Sequence, residues 1–189
     1  MALNVSIIIG TKGRGSNMVA LSNQIAQDDR FVVHSVIGTK AEAPALAVAN
    51  EMGLNTKVVP VSESYERDLE EALAGVDYIC LAGYMRLLPA GIVHKWDHRI
   101  LNIHPALLPK FGGKGMYGSH VHEAVLEARE TESGCSVHYV TEQYDEGAII
   151  HQMRCPVLPD DTPETLAARV LKLEHQCYYD ALVKVAFGG

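Results

Sequence analysis

A chain of 189 residues, 48% hydrophobic and 21% charged, has the make-up of an ordinary water-soluble globule, and its length suffices to bury about 70% of the unfolded surface. The net charge of −7 excludes a general nucleic-acid binder, which would carry a basic face, but leaves room for a local anion site. Cys80, Cys135, Cys155 and Cys177 lie far apart with no C-x-x-C spacing, which argues against zinc or disulfide frameworks and for a reducing, cytoplasmic setting. The chain enters an apolar strand almost at once, with neither a basic leader nor a long apolar run. No signal peptide and no membrane span are therefore expected, and the Asn4-Val5-Ser6 sequon is a coincidence.

Residues 5–9 read as a nearly continuous apolar strand of the kind buried on both faces of a parallel sheet. A glycine-rich turn follows, then a helix with Met18, Leu21 and Ile25 on one stripe. Strands are expected over residues 31–37, 57–61, 78–82 and 100–104, with helices over 44–52 and 65–74 between them. Ser64 is the expected N-cap of the second of these helices. This alternation predicts βαβ units and a Rossmann-like, mostly parallel α/β sheet with helices on both faces. Beyond residue 118 the pattern changes to a helix near 120–129 and strands over 136–141 and 148–157, joined by a short link. That link suits a hairpin and an antiparallel C-terminal part. The last helix starts at Thr162-Pro163-Glu164 and runs to about Phe187. With no repeats or linkers, one domain over 1–189 is expected, with halves 1–99 and 100–189.

Three stretches carry chemistry. Gly13-Arg14-Gly15-Ser16-Asn17 joins the first strand to its helix, where glycines admit a close ligand and the free N–H groups of the helix start favour an anion. Met18 stands where a dinucleotide fingerprint needs its third glycine, and Gly38-Thr39-Lys40 lacks the acid that would hold a ribose, so a mononucleotide-sized phosphate fits better. The same glycines would also serve a plain tight turn. Leu101-Asn102-Ile103-His104-Pro105 ends a strand, and period two puts Asn102 and His104 on one face. An amide can donate to a developing oxyanion and an imidazole can move a proton near neutral pH; two satisfied polar residues at a strand end is the plain alternative.

Glu174 falls on the inward stripe of the last helix with Val170, Leu171, Leu173, Cys177, Tyr178 and Leu182, so it needs a partner such as a ribose hydroxyl or a buried Arg. Tyr84-Met85-Arg86-Leu87-Leu88 sets one cation among apolar side chains, suiting a flat heteroaromatic with a carboxylate tail or a plain packing loop. His120 and His122 point about 200° apart on a helix with no third ligand in view, which suits structural roles better than metal.

Together, Gly15-Ser16-Asn17, Met85-Arg86, Asn102-Ile103-His104-Pro105 with Leu107-Leu108-Pro109, and Asp145 with Gly147 make the chain similar to the phosphoribosylglycinamide formyltransferases over essentially its whole length. The resemblance implies transfer of a formyl group from 10-formyltetrahydrofolate, a co-substrate rather than a tightly bound cofactor, to glycinamide ribonucleotide in purine synthesis. It implies Asn102, His104 and Asp145 as catalytic, with Asp145 orienting His104 and raising its pKa. It implies Gly15, Ser16 and Asn17 on the substrate phosphate and Glu174 on the ribose. Met85, Arg86, Leu88, Val140 and Thr141 would line the folate site. Small-molecule substrates are the expected partners, without nucleic acid, membrane or metal, and a monomer or weak homodimer is the expected state.

One departure is the glycine-rich stretch at 112–118, longer than in the family pattern and expected to act as a mobile cover. Rival readings are other formyl transfers, for which a tRNA enzyme would need a basic domain and a formyltetrahydrofolate hydrolase a regulatory domain before the first strand. A non-catalytic nucleotide- or folate-binding module is the rival from another class.

Overall fold

The computed structural model describes residues 1–188, which contain seven strands and six helices. Two compact units divide after Leu101.

In the first unit, β1 (Leu3–Ile9) lies between β2 (Phe31–Gly38) and β4 (Tyr78–Ala82), with β3 (Thr56–Val58) outside β2, and every pair is parallel. Val5, Ile7 and Ile8 are wholly buried, which is why β1 reads as an unbroken apolar run. The helices α1 (Ser16–Ile25), α2 (Pro44–Glu51) and α3 (Tyr65–Ala72) connect these strands, and α4 (Ala90–Lys95) follows β4. Buried Ser6 is satisfied by Ser35 Oγ at 2.8 Å and His34 Nδ1 at 3.4 Å.

β5 (Ile100–His104) carries the chain across the division into the second unit. There α5 (Ser119–Glu127) precedes β6 (Glu132–Tyr139) and β7 (Ile149–Pro156), an antiparallel pair with Cys135 opposite Met153 and Val137 opposite His151. The ladder shifts register between Val137 and His138. α6 (Pro163–Phe187) packs on β6, β7 and α5 through Val170, Cys177, Tyr178 and Leu182. The fold is thus the mostly parallel α/β class with an antiparallel C-terminal part that the alternation predicted.

α6 opens on a capping box in which Thr162 Oγ1 accepts from the Thr165 N–H and Thr165 Oγ1 accepts from the Thr162 N–H. Thr162→Ala is expected to cost about 1 kcal/mol and to lower Tm by about 2–4 °C in a thermal melt. An unchanged melt would show the cap to be idle.

The structure corrects several sequence expectations. α4 was not expected, being six residues long and containing Gly91. β3 spans Thr56–Val58 rather than 57–61. Ser64 holds the N-cap position of α3 as expected, but its hydroxyl donates to Asp68 Oδ2 at 2.6 Å instead of capping a backbone N–H. β6 begins at Glu132, not at residue 136, because Gly134 is paired with Arg154 and not part of a turn. A Cβ at Gly134 would collide with the Met153 carbonyl, so the glycine permits the close approach of the two strands. On α6, Leu171 and Leu173 are half-buried, while Leu166 and Ala181 are fully buried.

Candidate active site

The core of the site lies within the second unit. β5 delivers Asn102, half-buried, and His104, 4% exposed, on one face. The Nε2–H of His104 donates to the Phe111 carbonyl at 2.7 Å, since a carbonyl oxygen can only accept. Its Nδ1 faces Asp145 Oδ2 at 3.6 Å. Phe111 itself has φ of +57°, a backbone turn that aims its carbonyl at the ring.

Asp145, in the link between β6 and β7, has φ of +55°, a left-handed conformation that Asp and Asn tolerate better than most side chains. Its Oδ2 accepts from the Gly113 N–H at 2.9 Å, and its Oδ1 lies 3.3 Å from His138 Nε2. Gly112 allows this convergence, because a Cβ there would meet Leu108 Cδ2 at 2.5 Å and Asp145 Cβ at 3.3 Å.

His138 completes the group. Its Nδ1–H donates to the Tyr139 carbonyl at 2.8 Å, leaving Nε2 to be shared between the Asn102 amide at 3.1 Å and Asp145 Oδ1. With the ring neutral, Asn102 Nδ2 donates to Nε2; with the ring protonated, Nε2–H turns to the carboxylate. Asn102 and Asp145 therefore compete for one ring nitrogen.

Charge follows from burial. Burial pushes the His104 imidazole below its ordinary value, and outweighs the raising influences of Asp145 and the Phe111 carbonyl. Asp145 does raise it, as expected, but the net direction is downward, because packing removes more solvation than one carboxylate restores, and burial favours the neutral ring. For Asp145, burial pushes the carboxyl up, but the His138 hydrogen bond, the His104 charge and the Gly113 N–H together hold it below the usual carboxylate range.

Burial likewise lowers His34, His122 and His175. Unfolded, each of these imidazoles takes up a proton near 6.5 while the folded chain resists, so the unfolded state binds more protons below that pH. Tm is expected to fall progressively as pH drops from about 6.5 to about 5, well before the depressed carboxylates titrate. A Tm that holds level or rises over that interval would contradict this.

The segment after His104 is pinned by Ser136 on β6, fully buried, whose hydroxyl donates to the Ala106 carbonyl at 2.6 Å and accepts from the Leu108 N–H at 3.0 Å. Gln152 Nε2 donates to Ser136 Oγ at 2.8 Å. Ser136 and His138 escaped the sequence reading, though period two along β6 puts both on one face, and a His in a buried strand is a usable signal. The Phe111 carbonyl left no such signal.

The remaining candidates divide between the units. In the first, Gly15 precedes α1 with φ of +81°, and a Cβ there would press on Ala45 Cβ at 2.8 Å, so both conformation and packing require glycine. No side chain caps α1, whose first turn begins with Ser16 and Asn17. Met85 and Arg86 are exposed, whereas Leu88 is 5% exposed and packs inward. In the second, Val140 and Thr141 are half-buried, and Thr141 Oγ1 accepts from the Gln143 N–H at 3.2 Å. Glu174 is 7% exposed on the inner face of α6, as its stripe predicted, with its charge felt by the Cys135 thiol. His122 is buried and His120 exposed, so the two do not share a face.

The formyl transferase family model matches residues 5–182. A phosphoribosylglycinamide formyltransferase from Escherichia coli is 35% identical over 182 residues, covering 92% of this chain and 84% of that one. A trifunctional purine biosynthetic protein adenosine-3 from Drosophila pseudoobscura is 42% identical over 97% of the chain, and the chain spans 14% of that relative's length. Among solved structures, the phosphoribosylglycinamide formyltransferase of Brucella melitensis is 44% identical, with a TM-score of 0.87 over 100% of this chain and 98% of that one.

Proposed function

Because the chain belongs to the formyl transferase family, we propose that it transfers the formyl group of 10-formyltetrahydrofolate to the amino group of glycinamide ribonucleotide. The observation that carries this reading is the buried cluster of Asn102, His104, His138 and Asp145, which a mere binding module has no reason to build.

In the proposed reaction the substrate amine attacks the formyl carbon, and the carbonyl electron pair moves to oxygen. His104 turns its Nε2–H from the Phe111 carbonyl to that oxygen, and the Asn102 amide leaves His138 to donate beside it. When the His104 ring takes up a proton, the Asp145 carboxylate stabilises the imidazolium. The intermediate collapses as the bond from carbon to the folate nitrogen breaks, and the proton lost by the amine passes through the His104–Asp145 pair to that nitrogen. No metal is called for, and the folate is consumed as a co-substrate.

In this reading the N–H groups around Gly15, Ser16 and Asn17 hold the substrate phosphate, and Glu174 takes the ribose hydroxyls. Met85, Arg86, Leu88, Val140 and Thr141 serve the folate, Leu88 from beneath the surface. The four unpaired cysteines support a reducing, cytosolic setting. A spectrophotometric assay with a 10-formyl folate analogue tests the whole: turnover is expected only when glycinamide ribonucleotide is also present. Release of formate at the same rate without it would replace transfer by hydrolysis.

A further inference from the structure

His122 occupies the buried face of α5 with Val121 and Val125, at 4% exposure. His120, on the opposite side, is solvent-exposed, with its Nδ1 3.5 Å from Glu123 and its ring edge-on to Tyr117. Each buried imidazole of the site has a ring nitrogen bonded to a backbone carbonyl: His104 donates to Phe111 and His138 to Tyr139, and His104 Nδ1 also faces Asp145. His122 differs, because among the described residues nothing hydrogen-bonds its Nδ1. An orphaned ring nitrogen inside a protein costs folding free energy that a leucine of similar size would not. The His104 charge also acts against protonation of the His122 ring, second to its burial. One continuous stretch, residues 111–122, joins the carbonyl that engages His104 to this second imidazole.

We propose that His122 is a positioning residue of the formyl-transfer site: its Nδ1 accepts a hydrogen bond from a donor bound against His104, a water or the attacking amine, and thereby fixes how His104 meets the reacting atoms. This rests on the formyl-transfer reading above. A neutral imidazole has one N–H and one lone pair; in this proposal the proton is on Nε2, which makes Nδ1 the acceptor.

The test compares His122→Leu, His122→Asn and His122→Gln in the full chain by kcat, KM and thermal melt. His122→Leu is expected to lower kcat by roughly tenfold or more with KM for both substrates little changed and Tm equal or higher. His122→Asn puts an amide oxygen near the place of Nδ1 and is expected to recover much of the loss; His122→Gln reaches toward Nε2 instead and is expected not to. A leucine variant with kcat within about twofold of the unaltered chain overturns the inference alone. So does a uniform drop in Tm and activity across all three variants, which marks a structural histidine. No turnover by the unaltered chain overturns the formyl-transfer reading and this inference with it.

Discussion

Asp145→Asn is expected to slow formyl transfer by about a hundredfold or more, with a modest fall in Tm because the depressed carboxylate contributes stability at neutral pH, and with the fold retained. Asparagine matches the aspartate in shape and tolerates the same left-handed backbone at φ of +55°, so the hairpin link keeps its course. Its amide oxygen can still accept from the Gly113 N–H. What disappears is the charge. Asp145 is the leading influence that opposes the burial of His104, so its removal drives the imidazole still further below its ordinary value. On the proposed reaction, the ring then resists the proton it takes up as negative charge grows on the formyl oxygen. His104→Ala is expected to have an effect at least as large, since it removes the ring itself. Formyl transfer near the rate of the unaltered chain by either variant would sink the assigned roles.

Gly147→Ala is expected to damage both stability and turnover. Gly147 is buried where the link rejoins β7, and a Cβ there would fall on the carbonyl oxygen of Tyr139. Both partners are backbone, so no rotamer change relieves the collision. The Tyr139 N–H also donates to the Ala148 carbonyl at 3.0 Å, and separating the two segments weakens that bond. A loss of about 2–3 kcal/mol and a fall in Tm of about 4–12 °C follow. The same carbonyl holds His138 Nδ1 at 2.8 Å, so moving it frees the ring whose other nitrogen lies between Asn102 and Asp145. Reduced kcat should therefore accompany the reduced Tm even at temperatures where the variant is fully folded. A variant unchanged in both would refute the account.

Much of this was legible in the chain itself. β4 and β5 appear at the bounds expected from their apolar runs, because Asp77 and Gly83 flank the first and Arg99 and Pro105 the second, and α6 starts where Thr162-Pro163 announces it. Glycines were harder. Gly134 lies outside the strand expected over 136–141, and its function is to let two strands approach, which only the partner strand reveals. At the site, the strand period brought Asn102 and His104 to one face, and the motif supplied Asp145. His138 was legible as an inward-facing residue but not as their partner, since that depends on how the link folds back over β6. The direction of the His104 shift was beyond reach for a similar reason. A carboxylate near an imidazole argues for a raised pKa, and it takes the observed burial to decide that desolvation wins.

The bond from His104 Nε2 to the Phe111 carbonyl bears on economy of reagent. A formyl folate carries its formyl group as an amide on nitrogen, and water is the most abundant nucleophile it will meet. With its proton already committed to the backbone, His104 does not offer itself to whatever solvent reaches a bound formyl group. On the proposed reaction, the ring has to exchange partners before it can assist an attack. On the proposed reaction, the 2.7 Å contact is thus a safeguard against squandering one-carbon units while the acceptor is missing.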